Sequence, residues 1–123
     1  MWLFTRHGFF SVVCGRADGG KGRALDTETM MIRGRRRAEL EALVAACPEL
    51  AGTEVVEDRA ADYRYRLIVG RDAWLAAAAR LAGEVDYGNF KSEAARHTGG
   101  DYAHALHDVW QVMYDHQRAE RDG

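Results

Sequence analysis

The stretch "DYRYRLIVGRDAW", Asp62–Trp74, decides the fold. In its first half Tyr63, Tyr65, Leu67 and Val69 alternate with Arg64, Arg66 and Ile68. A repeat of two sends successive side chains to opposite faces of a strand, so one face is apolar and the other carries guanidinium groups. In the second half the period changes. Trp74, Ala78, Leu81 and Val85 line one side of "AWLAAAARLAGEV", and Asp72 is placed to cap that helix. A one-sided strand followed at once by an amphipathic helix predicts a sheet shielded by helices on a single face.

Upstream, Glu54–Glu57 and the strand at Tyr63–Val69 flank "DRAAD" as a hairpin, which completes a ββα unit over about residues 53–85. The same order appears earlier in the chain. Trp2–Thr5 and Phe9–Cys14 are rich in aromatic and β-branched residues and are separated only by "RHG", so they form one bent strand or two tightly joined ones. "TMMIR", Thr29–Arg33, is their hairpin partner. Leu40, Leu43, Val44 and Cys47 then recur at helical spacing until Pro48, the only proline, stops the helix. This first unit covers about residues 1–48. The two units predict an α+β two-layer sandwich with a four-stranded antiparallel sheet, in a permuted ferredoxin-like order.

Downstream, a helical extension spans about residues 86–118. "SEAARH" adds a short helix, "TGGD" breaks it, and a last helix capped by Asp101 carries Tyr102, Leu106, Val109, Trp110 and Met113 as its apolar stripe. The whole chain, residues 1–123, reads as one domain, long enough for a single core.

Composition excludes several classes. With 47% hydrophobic and 29% charged residues the chain is neither disordered nor collagenous. No apolar run approaches the roughly 20 residues of a membrane span, and "MWLFTRHGFF" has no signal-peptide layout. Cys14 and Cys47 lack C-x-x-C spacing and sit among apolar residues, so both are expected buried and reduced, as suits a cytoplasmic protein. Residues 1–37 carry eight basic and three acidic side chains, whereas the remainder carries nine and sixteen.

Five patterns invite chemistry. "GRADGGKG", Gly15–Gly22, imitates a phosphate-binding loop, but Gly22 stands where magnesium binding needs Ser or Thr, so a glycine-rich hairpin connection is the expectation. "RGRRR", Arg33–Arg37, places several arginine forks at a strand-to-helix junction, where the helix dipole disfavours cations. His104, His107 and Asp108 share a helix side without further ligands, and Ser11 or Cys14 beside His7 lack an oxyanion-forming turn; no metal site is assigned. "DYGNFK", Asp86–Lys91, concentrates polar groups at a helix end, where a terminating turn is the simpler reading.

Four segments, "WLFTRHGFFSVV", "DYRYRLIVGRDAW", "DYGNFK" and "HDVWQVMYDHQ", resemble those of a group of small uncharacterised bacterial proteins. That group carries W-x-F-T-x-x-G-F-F-S-V-V, D-Y-x-[YF]-R, D-Y-x-N-F-K and V-W-x-V-x-Y in this order across nearly the whole length. The resemblance implies no activity, cofactor or catalytic residue. The "GGKG" stretch and the His104/His107 pair lie outside its motifs.

The leading expectation is a non-enzymatic, homodimeric, cytoplasmic binding or regulatory module without cofactor. It engages an acidic protein or RNA through Arg33, Arg35, Arg64 and Arg66 on the outer sheet face, with Phe9 as a stacking ring. One alternative is a small enzyme with a pocket around Asp86, Tyr87, Asn89 and Lys91, near Tyr63. Another is a structural homo-oligomeric subunit.

Overall fold

In a computed structural model the alternating segment forms strand Tyr65–Gly70 and runs without a loop into helix Arg71–Gly83. Residues 1–17 and 24–122 are described. The phosphate-loop reading of Gly15–Gly22 therefore lies largely outside the described residues. The chain divides into two compact units, Met1–Asp86 and Tyr87–Gly123.

The first unit holds five strands, β1 (Trp2–Thr5), β2 (Gly8–Arg16), β3 (Leu25–Gly34), β4 (Val56–Glu57) and β5 (Tyr65–Gly70), with helices α1 (Arg37–Ala46) and α2 (Arg71–Gly83). They form one antiparallel sheet in the order β1-β2-β3-β5-β4. The α+β class holds, but the sheet has five strands where four were expected. The difference lies at "RHG". Thr5 pairs with Gly8, which takes φ 146° so that the chain reverses within two residues. The Thr5 hydroxyl donates to the Gly8 carbonyl (3.0 Å) and accepts from the His7 amide (3.1 Å).

Alternation then sorts the side chains. Phe10, Val12, Met30, Ile32, Leu67 and Val69 face Leu40, Leu43 and Cys47 from α1 and its end, and Trp74, Ala77 and Leu81 from α2. Both helices thus cover the same face. In α2 the buried line runs through Ala77, and Val85 is 60% exposed, because the helix ends at Gly83 and Val85 no longer follows its spacing. Gly70, without a side-chain cap, precedes α2, so Asp72 sits inside the first turn, where its charge suits the dipole. Pro48 ends α1 and opens a 3-10 turn, Pro48–Leu50. Cys47 is fully buried, which pushes its thiol up, whereas Cys14 is only half-buried, contrary to expectation.

Outside the core, Arg80 donates to both oxygens of Glu49 at 2.7–3.1 Å, tying α2 to the 3-10 turn. These hydrogen bonds hold the Glu49 carboxyl below its ordinary value. A depressed folded-state value stabilises above the unfolded value, about 4.3, and the contribution is lost as pH falls through the folded one. Replacing Glu49 by Gln is expected to flatten the acid limb of a melting-temperature profile; an unchanged limb would assign acid sensitivity elsewhere.

The second unit consists of α3 (Phe90–His97) and α4 (Gly100–Asp122). Asn89 caps α3, its side-chain oxygen accepting from the Ser92 amide at 2.9 Å. Gly99, at φ 126°, makes the break before α4. Because α4 starts at Gly100, Asp101 belongs to its first turn and is not its cap. Tyr102 and Leu106 are buried, but Trp110 and Met113 are about half exposed, so only the first half of the expected stripe is covered. Among the described residues no helix is long and apolar enough to cross a membrane.

Candidate site on the outer sheet face

Cross-strand register builds a row of outward side chains from sequence-distant residues: Trp2 opposite Ser11, Ser11 opposite Arg33, Arg33 opposite Arg66, and Arg66 opposite Val56. The neighbouring row is Val13, Met31 and Ile68. No helix of the first unit packs on this face, because α1 and α2 are engaged on the other. Trp2 is 68% exposed, Ile68 46% and Val56 43%.

Arg33 and Arg66 are the centre of the row. Arg33 donates to the Ser11 hydroxyl (2.7 Å) and carbonyl (3.4 Å); Arg66 donates to the Tyr63 carbonyl (2.9 Å) and the Met31 sulfur (3.3 Å). All these acceptors are neutral. Arg66 Nε is buried and has no acceptor among the described residues. Two like charges directly opposite on an antiparallel pair destabilise it, and here no carboxylate among the described residues offsets them.

An aromatic cluster lies beside Arg33. Phe4 stacks on Phe9 at 4.6 Å, Trp2 meets Phe9 edge-on at 5.7 Å, and Tyr63 lies 6.4 Å from Phe9. The Tyr63 ring is also covered by Arg33 (4.6 Å) and Arg35 (4.3 Å). Arg35 further meets Asp62 at 3.4 Å in an exposed pair. Phe9 is therefore largely engaged by its neighbours, and Trp2 is the ring left open to a ligand.

The alternation rule misplaces two residues. Tyr63 precedes β5 and packs with Phe9 and Arg33, not in the core with Leu67; only inside the hydrogen-bonded strand does parity fix the face. Arg64 likewise lies before the strand. It donates to Glu57 at 3.1 Å and sits over the Tyr65 ring, beside Arg37, on the side to which Tyr65 points. Glu57 also takes Arg59 at 2.9 Å and Arg37 at 3.7 Å, and hydrogen bonds from Arg59 and Arg64 hold its carboxyl below the usual range. Of the four arginines expected to share a face, Arg33, Arg35 and Arg66 come together and Arg64 does not. Trp2 and Phe4 were missed; the two-residue turn at "RH" was the signal, since it sets Trp2 opposite Ser11 and Phe4 opposite Phe9.

The other candidates have local structural partners. Asp86 accepts from Arg6 at 3.2 Å, Tyr87 packs 5.9 Å from Phe90, Asn89 caps α3, and Lys91 lies 5.0 Å from the Trp110 ring. His7 is buried with its Nε2 2.8 Å from Glu84, while the Ser11 hydroxyl accepts from Arg33, so no nucleophile–base pair forms between them. His107 stacks on Trp110, and among the described residues no group of three His, Cys, Asp or Glu is placed to share an ion. An open hollow of about 560 Å³ between the 3-10 turn and α2 is lined mainly by Ala46, Ala76, Ala79 and the Arg80–Glu49 pair, which satisfies its own charges.

Compared with models of known families, with curated proteins and with solved structures, the chain matches none.

Proposed function

We propose that this protein is a non-enzymatic binding module, cytoplasmic in keeping with its unpaired cysteines, that engages an acidic partner through its outer sheet face. The observation that carries this reading is the Arg33–Arg66 pair: two arginines directly opposite one another on adjacent strands, tethered by neutral acceptors and in no ion pair with a carboxylate among the described residues. A foreign anion relieves the repulsion that the fold tolerates. A second copy of the same face does not, because a two-fold interface would bring four such groups together.

The order β2-β3-β5-β4, with α1 linking β3 to β4 and α2 following β5, supports a permuted ferredoxin-like sandwich to which β1 is added at the edge. Membership of the resembling bacterial group stands as a proposal on its motifs alone, which include Trp2, Phe4, Phe9, Ser11, Tyr63 and Arg66.

The test is a titration of the full chain with inorganic polyphosphate, an oligoglutamate and an oligouridylate. At least one is expected to bind, with a salt slope of about −1.4 if it is a single strand held through two phosphates. The double substitution Arg33→Gln/Arg66→Gln abolishes that binding while raising stability by about 0.5 kcal/mol. Arg64→Gln changes neither. Binding that survives the double substitution, or indifference to all three anions, would sink the reading.

A further inference from the structure

Resting on that reading, we infer that the partner is single-stranded RNA, with a base stacked on Trp2 and the adjoining phosphates held by Arg33 and Arg66. Trp2, Ser11, Arg33 and Arg66 lie in one row on four successive strands. Adjacent strands are 4.7–4.9 Å apart, so Trp2 stands about 10 Å from Arg33, within reach of a nucleotide laid across the sheet. The Trp2 ring meets Phe9 edge-on, and Phe9 is backed in turn by Phe4. This arrangement fixes the indole while leaving the residue 68% exposed.

An aromatic platform beside cations is the combination that single strands require, because every base offers a π-face and every link a charge. An acidic peptide would satisfy the arginines and leave the indole unused. Duplexes fit poorly, since their bases are stacked inside and offer no free face to the Trp2 ring. The outward residues from Trp2 to Arg66 include no carboxylate, so the whole row is complementary to a backbone of phosphates.

The experiment compares, by fluorescence anisotropy, a labelled oligouridylate, an abasic ribose-phosphate oligomer of equal length and an oligoglutamate of equal charge. Oligouridylate is expected to bind about tenfold more tightly than the abasic oligomer. Trp2→Ala removes that advantage, whereas Trp2→Phe keeps most of it. Trp2→Thr, which suits an edge strand, repeats the Ala test if that variant folds poorly. Equal binding of the uridylate and abasic oligomers overturns the stacked base but leaves the arginine face standing. Preference for oligoglutamate overturns RNA in favour of an acidic protein. Failure of every anion removes both proposals.

Discussion

Gly8→Ala is expected to destabilise the first unit by about 4 kcal/mol, read as a lowered urea midpoint at unchanged slope. Two effects add. Gly8 takes φ 146°, a conformation L side chains rarely adopt. A methyl group there would also fall 2.3 Å from Glu39 Oε1 and 2.6 Å from its Cβ. The second distance decides the sign, because Cβ is fixed to the backbone of α1 and cannot swing aside as a chain end can. Glu39 is moreover the acceptor for the Phe9 amide at 3.0 Å, so displacing it leaves a half-buried donor unpaired. Glu39→Ala alone removes the acceptor, Oε1 and Cγ but keeps the clashing Cβ, so the double variant should cost less than the sum of the singles only by the shared loss of the Phe9 acceptor. A loss below about 1 kcal/mol for Gly8→Ala would show that α1 is free to move, and that the turn does not fix the β1 register. The same turn holds Trp2 and Phe4 on the outer face, so this variant should also lose oligouridylate binding.

What the sequence made legible follows from where a single rule operates. Within β5 and β3 the chain is locally regular, so period-two reading sends Leu67 and Val69 inward and Arg33, Arg66 and Ile68 outward, as observed. It fails at Tyr63 and Arg64, which flank the strand and take orientations set by tertiary partners, Phe9 in one case and Glu57 in the other. Helix ends failed for a related reason. Asp72 and Asp101 look like caps, but Gly70 and Gly99 before them end the preceding segment and let each helix start earlier. The "RGRRR" run was legible as a cluster and illegible as a geometry. Its strand-end residues Arg33 and Arg35 turn to Tyr63, while Arg37, already in α1, turns to Tyr65 and Glu57. Nothing in the spacing of that run distinguishes the two destinations, because Tyr63 and Tyr65 are brought to it by a strand some thirty residues away.

Leu67→Ala should cost about 3 kcal/mol, and its effect on binding separates two ways of holding the arginine pair. Val12, Ile32 and Leu67 are directly opposite one another on three successive strands; Ile32 and Leu67 are fully buried and Val12 nearly so. Removing the Leu67 branch opens a void in the middle of that row, where β strands on either side restrict collapse. Arg66 is the preceding residue on β5, and Arg33 follows Ile32 on β3, so the inner and outer rows share their backbone. If the hydrogen-bonded ladder alone positions the guanidinium groups, the variant binds oligouridylate with native affinity at temperatures where it remains folded. If packing beneath the sheet positions them, affinity falls in proportion to the lost stability even in the folded protein. The neutral tethers favour the first outcome: Arg33 is tied to Ser11 and Arg66 to Tyr63 and Met31, all on the outer side. Native affinity in a chain destabilised by about 3 kcal/mol is therefore the expected result, and Ile32→Val, with a cost of about 1 kcal/mol, should behave in the same way.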